Sequence, residues 1–433
     1  MKQVSVTLST YTADVSGVCS ALYELGGMVV IHDPSGCNST YNTHDEPRWY
    51  DMDSLVFISG LSQMDAIMGN DDKFINDIVR AAKELKPCFI ALVRTPIPLM
   101  TGTDFEGIAR VIEKQTQIPV FYFPTSGMHS YVSGAGMALE TVARELVLPT
   151  NANEHFKENG IKIENVSNEL SVADTKKQNQ QKLNQSEQKQ IENTESKQSN
   201  SKIKINILGA TPLDFSVNST LDSIKEFLSK HFEIISTFAM GSSIEDIQKA
   251  GEADVNLVIS SVGFPAAKVL EERFSTPYVI GTPYVIGTPV KGFAGIIAEK
   301  LIDAAWTGKS QTAYFSVTSS GKNISRAANG IYIIGESVIS QSLKAAMALK
   351  QGIDATVICP LETEPEYIGE NVLLFSSEEE IKAAIAEAKT VIADPIYKTI
   401  CADETNFIAL PHEAFSGRIY RKEIPNLMEW VTI

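Results

Sequence analysis

The chain of 433 residues lacks the sequence signatures of several protein classes. It has five cysteines and no CxxC pair, which argues against a disulfide framework, a zinc ribbon and a ferredoxin. Neither GxGxxG nor GxxxxGK followed by Ser or Thr occurs, so no nucleotide-hydrolysing site is predicted. Positive charge is also scarce: 37 Lys and Arg stand against 53 Asp and Glu, a net charge of -16, which would repel nucleic acids and anionic membranes.

Long apolar runs are absent as well. None approaches the roughly 20 residues of a transmembrane helix, and the start MKQVSVTLSTYTAD lacks the apolar stretch of a secretory signal. The sequence therefore predicts a cytoplasmic protein with reduced cysteines. Hydrophobic residues make up 43% of the chain, which is enough for a large core. Small molecules and other proteins remain as the expected partners.

One segment has the composition of a linker. No aromatic residue occurs between Phe156 and Phe215, and the intervening sequence is rich in Lys, Gln, Asn and Ser. Because such a segment buries too little apolar surface to offset the entropy of ordering it, we predict a low-complexity linker over 151–202. Three domains are expected around it: 1–150, 203–315 and 316–433.

Short β-branched runs alternate with helical periodicity throughout the remaining sequence. VVIH, LVFIS, CFIALV and PVFYF precede the linker, and INILGA, EIISTF, VNLVIS and YVIG follow it. IYIIGE, ATVICP, NVLLF, TVIAD and NFIALP form a third set. This alternation predicts an α/β protein with three Rossmann-like, doubly wound domains and parallel sheets. Ligands bind such sheets beyond the carboxyl ends of their strands.

Two cysteines and three histidines are candidates for a site. Cys37 lies in SGCN directly after the strand VVIH, where a thiolate can face a cleft. Cys19 lies in a predicted helix, ADVSGVCSALYEL, whose amino-terminal end would approach the Cys37 loop and favour a thiolate. The alternative for each is a small buried thiol. His32, His44 and His412 fall on loops after strands, where hydrogen bonding competes with metal ligation.

The pattern around the first candidate cysteine resembles a known family. VVIHDPSGC is similar to the strand and HGP-x-GC turn that carry a cluster cysteine in the nitrogenase component 1 superfamily. The similarity continues through SGLSQMDAIMGNDDKFINDIVRAAKELKPCFIALVRTPIPLMTGTDFEGIARVIEKQTQIPVFYF and covers nearly the whole chain apart from the linker. It implies three Rossmann-like domains and a redox protein. In that family two subunits pair, hold an iron–sulfur cluster at their interface, and receive electrons from an ATP-hydrolysing iron protein.

Carried over position by position, the resemblance implies an incomplete cluster site. Cys37 matches the interface cluster cysteine, the family's first cysteine has no counterpart around positions 12–13, and Thr95 takes the third position. One Cys37 from each of two subunits supplies only two ligands for a 4Fe–4S cluster. Cys19, a partner subunit or an oxygen ligand such as Asp33 would have to complete it.

Two further segments carry the resemblance to the family's large metal cofactor. NLVISSVGFPAAKVLEERFSTPYVI resembles the segment with a cofactor-binding cysteine, and Ser260 takes that position. ALPHEAFSGRIY resembles the loop with a cofactor-ligating histidine, which points to His412. With the cysteine absent and the histidine kept, the cleft near Ser260, Glu336 and His412 is expected to take an organic substrate or a different, unidentified metal centre.

The segment after Cys37 has no clear counterpart in the family. It carries His44, Asp45, Glu46, Arg48 and Trp49. An imidazole and carboxylates near a cluster can supply protons during reduction, which makes His44 and Glu46 catalytic candidates, or the segment can bind an acidic substrate. The favoured alternative is a subunit-interface loop held by salt bridges, with Trp49 as its anchor.

Three functions follow from these observations. The first is an oxidoreductase subunit that uses an interface iron–sulfur cluster to pass electrons from an ATP-dependent iron protein to an unidentified substrate. The second is a non-catalytic scaffold for metallocofactor assembly, and the third is a cluster-free small-molecule binding protein. The expected partners are a second copy of the chain or another component 1-like subunit, together with the iron protein.

Overall fold

The computed structural model describes residues 6–36, 46–149, 202–285, 292–318 and 330–430. The predicted linker, apart from Lys202, lies outside these residues, and so do Cys37, His44 and Asp45. In the described part of the chain, no helix is both long and apolar enough to cross a membrane.

In the described residues, fourteen strands form three sheets, and neighbouring strands in each sheet are parallel. They are β1 Met28–His32, β2 Leu55–Ile58, β3 Ile90–Arg94, β4 Val120–Phe123, β5 Ile203–Ala210, β6 Phe232–Ala239, β7 Val255–Val258, β8 Tyr278–Ile280, β9 Gln311–Thr312, β10 Ile331–Ile334, β11 Thr356–Cys359, β12 Val372–Leu374, β13 Thr390–Ala393 and β14 Asn406–Ala409. The sheet orders are β2-β1-β3-β4, β6-β5-β7-β8-β9 and β12-β11-β10-β13-β14. Each predicted apolar run forms a strand, and the α/β fold class is confirmed.

Parallel pairing requires crossover connections, and α-helices form most of those in the described residues. They are α1 Asp14–Leu22, α2 Gln63–Met68, α3 Asp71–Leu85, α4 Pro96–Thr101, α5 Phe105–Thr116, α6 Tyr131–Thr141, α7 Pro212–Phe215, α8 Thr220–Ser229, α9 Ile244–Gln248, α10 Phe264–Phe274, α11 Phe293–Thr307, α12 Phe315–Thr318, α13 Ser337–Gln351, α14 Glu378–Ala384 and α15 Glu413–Ser416. Helix α6 runs on into a π-helical turn, Val142–Leu146.

The central strands of the first sheet, β1 and β3, are apolar up to their last residues, His32 and Arg94, and pack against a core on each face. On β1, Met28 and Val30 join a core beneath α3 and α5. Val29 and Ile31 point to the opposite face and join a second core that continues through the other two sheets. This alternation follows from the two-residue period of a strand.

Helices α1 and α6 approach so closely that glycine is required at their contact. A Cβ at Gly134 would lie 1.9 Å from the Asp14 carbonyl oxygen, and one at Gly17 would lie 2.3 Å from the Tyr131 carbonyl oxygen. Helix α6 also packs against α10 of the second sheet. The start of α6 is thereby held beside strand ends of the other sheets.

Candidate functional site

A buried hydrogen-bond network joins the first and second sheets around Asp214. This residue lies in α7, directly after β5, and its carboxylate accepts three side-chain hydroxyls. Tyr131, the first residue of α6, donates at 2.5 Å, Ser260 after β7 donates at 2.8 Å, and Thr211 donates at 3.0 Å. All four residues are buried. The predicted site residue Ser260 is therefore committed to the chain's own carboxylate.

Glu336 connects the third sheet to the second in a similar way. It follows β10 and caps α13, because Oε2 accepts the Ile339 amide at 2.8 Å. Oε1 accepts the Ser261 amide at 2.9 Å and the Ser261 hydroxyl. Burial raises the pKa of Glu336, and the nearby Asp214 carboxylate raises it further. Glu336 therefore serves as a buried cap and a cross-link between sheets.

His412 lies after β14 and faces the Asp214 network, where residues from all three sheets meet; we call this place the junction. Its amide donates to Asp394 at 2.7 Å, and Nδ1 accepts the Ala414 amide at 3.3 Å. Nε2 is buried 3.5 Å from Asp214 Oδ1, and it makes no hydrogen bond with any residue that the structure describes. A neutral imidazole whose Nδ1 accepts a hydrogen bond carries its proton on Nε2. This tautomer directs an N–H toward Asp214 rather than a lone pair toward a metal.

The base of the Cys37 loop is also occupied by internal hydrogen bonds. Thr95, at the end of β3, donates its hydroxyl to Asp33 Oδ1 at 2.6 Å. His32 Nδ1 lies 2.8 Å from the Ser59 hydroxyl, and its ring stacks on Phe74 at 3.9 Å. Burial lowers the pKa of His32 to about 4, so the imidazole is neutral at physiological pH. Asp33 already has a partner inside the chain.

The structure places Cys19 in the core. The residue is fully buried in α1 among apolar side chains. Burial raises the pKa of the Cys19 thiol far above its usual range, and the Glu46 carboxylate adds to this shift. The thiol is therefore protonated, and its position fits the small buried thiol that was the alternative to ligation.

Glu46 and Arg48 form a buried ion-pair network within the chain. Arg48 contacts Glu46 at 2.6 Å and Glu24 at 2.8 Å, and the Ser20 hydroxyl donates to Glu46 at 2.8 Å. Glu24 also accepts the Gly241 amide at 2.7 Å, which links this network to the second sheet. Salt bridges do hold this segment, but their described partners belong to the same chain.

Comparison with known proteins decides the family. Residues 16–288 match the family model described as nitrogenase component 1 type oxidoreductase. The chain belongs to this family. Two solved structures share its fold. "Nitrogenase Cp1 at pH 6.5" has a TM-score of 0.61 and 14% identity, and the match covers 99% of this chain and 91% of that one. "Nitrogenase Cp1 at pH 5" has a TM-score of 0.56 and 16% identity, and the match covers 97% of this chain and 86% of that one.

A curated relative matches over a shorter stretch. It is one of the subunits of the light-independent protochlorophyllide reductase of Nostoc punctiforme, and it is 32% identical over 80 residues, which span 18% of this chain and 16% of the relative. The sequence-based resemblance is thus confirmed for this component 1-type chain. Its family membership supports an oxidoreductase-like role.

The junction residues do not fit a large metal cofactor. Ser260 offers a hydroxyl that Asp214 already accepts, and the His412 tautomer disfavours ligation through Nε2. Within the described ranges, no three His, Cys, Asp or Glu side chains are grouped so that they could hold a metal ion. The polar groups that the resemblance assigns to the cofactor are thus engaged within the component 1-type chain itself.

An apolar surface flanks the root of the Cys37 loop. No residue of α2 is buried, and Ile67 is 80% exposed, while Met100 on the neighbouring α4 is 85% exposed. We call this the α2/α4 surface; it comprises Met64, Ile67, Met68, Ile97, Leu99 and Met100. Helix α2 follows β2 and α4 follows β3, the two strands on either side of β1. Residues 33–36, which precede Cys37, therefore leave the sheet between them.

Two members of the Asp214 network were not singled out from the sequence. The segment 209–215 was a candidate site loop because it follows a strand, but GATPLDF matches no phosphate-binding motif, so Asp214 itself was not singled out. Tyr131 begins a helix on the far side of the junction, and no sequence spacing relates it to Asp214. Only the folded chain brings the two side chains together.

Proposed function

We propose that this chain is an electron-transferring oxidoreductase subunit that pairs with another component 1-type subunit and acts on a small organic substrate. Cys37 would contribute to an iron–sulfur cluster between the two subunits, and an ATP-hydrolysing iron protein would be the electron donor. The observation that carries the proposal is the α2/α4 surface beside residues 33–36, which lead to Cys37. Exposed apolar patches of this kind mark protein contacts.

The number of cluster ligands that this chain can supply supports a partner subunit at this surface. Cys37 provides one thiolate, whereas Cys19 is a protonated thiol in the core and Asp33 already accepts the Thr95 hydroxyl. The remaining cluster ligands would therefore come from the other subunit. Burying the α2/α4 surface against that subunit would remove apolar side chains from water and exclude solvent around the cluster.

The proposal of an organic substrate rests on the hydrogen bonds that already engage the polar side chains of the junction. The resemblance assigns Ser260 and His412 to the large family cofactor, but Ser260 already donates to Asp214, and Glu336 already accepts from Ser261. A reaction at this chain would then need electrons from the cluster and a substrate held elsewhere along the interdomain cleft. A metal-assembly scaffold lacks comparable support, since it would need room for the cofactor it carries.

Iron analysis tests the cluster. The full chain is purified anaerobically with its partner and assayed for iron, sulfide and an EPR signal after reduction. We expect Cys37→Ala to lose iron and the signal, whereas Cys88→Ala, a control at an exposed cysteine, keeps both. A wild-type protein without iron or sulfide would contradict the proposal and leave the cluster-free binding function.

The subunit contact is tested separately. An Ile67→Glu and Met68→Glu double variant places two charges on the α2/α4 surface, and light scattering after size-exclusion chromatography measures its mass with the partner present. We expect dissociation, whereas Leu349→Glu, an exposed leucine on α13, leaves the complex intact. An unchanged mass for the double variant would show that the partner binds elsewhere.

A further inference from the structure

A cleft of about 530 Å³ opens between the first and third sheets. The loop 127–130, between β4 and α6, forms one wall. The loops 359–363 and 374–376, which follow β11 and β12, form the other, and Tyr11 lies between them. This place at the carboxyl ends of parallel strands is where α/β proteins bind ligands, and the volume is typical of small-molecule pockets.

Glu362 gives the cleft a negatively charged end. Its carboxylate accepts the amide and the hydroxyl of Ser130, and His129 Nδ1 lies 3.5 Å away. Burial alone would raise the pKa of Glu362, but the hydrogen bonds from Ser130 outweigh it, so the pKa falls below its usual value. The side chain is still 47% exposed, which leaves the carboxylate accessible to a further partner.

The charges around Glu362 add to this preference for a cation. Glu364 and Glu366 follow it in the same loop region, and both pair with Lys268, at 3.7 and 2.9 Å. The lysine is thereby occupied by two other carboxylates. A positively charged group entering the cleft would meet an ionised carboxylate, whereas an anion would be repelled.

The cleft also has apolar walls. Leu361 and Phe375 line the interior, and the exposed side chains of Met128 and Leu374 stand at the rim.

The cysteine in the cleft is unsuited to covalent or metal chemistry. Cys359 ends β11, and its thiol donates to the Leu361 carbonyl at 3.7 Å. Burial raises the pKa of Cys359 to about 12, so the thiol is neutral. The cleft is thus equipped for reversible binding through charge and apolar contact.

We propose that this cleft binds a small organic cation, with a protonated amine against Glu362 and an apolar body against Leu361, Phe375 and Leu374. The identification of this cation as the substrate of the chain rests on the proposed function. The binding itself needs neither a cluster nor an electron donor.

Two probes of similar shape and opposite charge test the cleft. The purified full chain is titrated with 2-phenylethylamine and with 3-phenylpropionate, and binding is followed by NMR of the probe. We expect saturable binding of the amine and none of the carboxylate. Glu362→Gln keeps the size of the side chain and an acceptor for Ser130, and it should weaken amine binding by about tenfold or more, since a hydrogen bond to a charged group is lost.

Controls separate this effect from damage to the fold. Glu379→Gln removes a charge from an exposed residue of α14 outside the cleft and should bind the amine as the wild type does. Leu374→Trp should fill the rim and block the amine. The inference is overturned if the amine does not bind, if both probes bind equally, or if Glu362→Gln binds it unchanged. An iron-free chain that still binds the amine would contradict the proposed function and support this site.

Discussion

Removing the Tyr131 hydroxyl is the most direct test of the closed junction. This hydroxyl is fully buried and donates to Asp214 Oδ1 at 2.5 Å, beside the donors Thr211 and Ser260. Tyr131→Phe keeps the ring but removes one of the three hydroxyl partners of the carboxylate. Because a hydrogen bond to a charged group contributes about 1.5–3 kcal/mol, we expect the junction to lose that much stability.

Hydrogen exchange of backbone amides measures the loss on both sides of the junction. A chain with three sheets need not unfold in a single step, so local exchange is more informative than one midpoint. Where exchange follows the opening equilibrium, a loss of 1.5–3 kcal/mol accelerates it roughly 10- to 150-fold. We expect this acceleration in peptides from the start of α6 and from α7.

The controls for this experiment lie in the same chain. Tyr332→Phe makes the same change at a half-buried tyrosine on β10 and should leave exchange in α6 and α7 unchanged. Asp214→Asn should be at least as disruptive, and the double variant should be less disruptive than the sum of the two, because both remove one interaction. Unaltered exchange at α7 in Tyr131→Phe, or full additivity, would refute the reasoning.

Further predictions concern the first sheet. Burial lowers the pKa of His32 to about 4, whereas the pKa in the unfolded chain is about 6.5. The neutral imidazole therefore contributes fully to the free energy of unfolding above about pH 6.5, and this contribution is lost as the pH falls toward 4. Urea denaturation from pH 7 to 4.5 should show this decline, and His32→Asn should reduce it. Arg48→Met removes the ion pair between Arg48 and the buried Glu46 and should cost about 3–5 kcal/mol, measured as faster hydrogen exchange in α1. Cys19→Ala should keep the iron that Cys37→Ala loses; equal iron loss in both variants would restore Cys19 as a ligand.

The strands were predictable because a buried strand is made of apolar residues that are neighbours in the sequence. A strand covered on both faces needs apolar, β-branched residues at successive positions, and runs such as VVIH and ATVICP show them directly. The two-residue strand β9, Gln311–Thr312, was missed because its sequence has no such run. Its pairing with β8 depends on the position of the whole sheet.

The site was predictable only in part. Ser260, Glu336 and His412 were selected as residues after strands, and the fold brings them to one junction. Their partners decide what they do there. The acceptor of the Ser260 hydroxyl is 46 residues away in the sequence, and the backbone donor to Glu336 is 75 residues away. The roles of Cys37 and His44 stay predictions, since both lie outside the described residues.

The sequence by itself determined the described strands apart from β9, the α/β class and the family, because periodicity and short motifs are properties of neighbouring residues. Only the tertiary structure decided that the junction is closed and that Cys19 belongs to the core. It alone also decided that an acidic cleft lies beside the junction. These outcomes depend on side chains from distant segments whose distances are set by packing, and no local pattern records them. The thiol and hydroxyl of Cys19 and Ser260 have the chemistry of ligands, but their surroundings assign them to packing and hydrogen bonding.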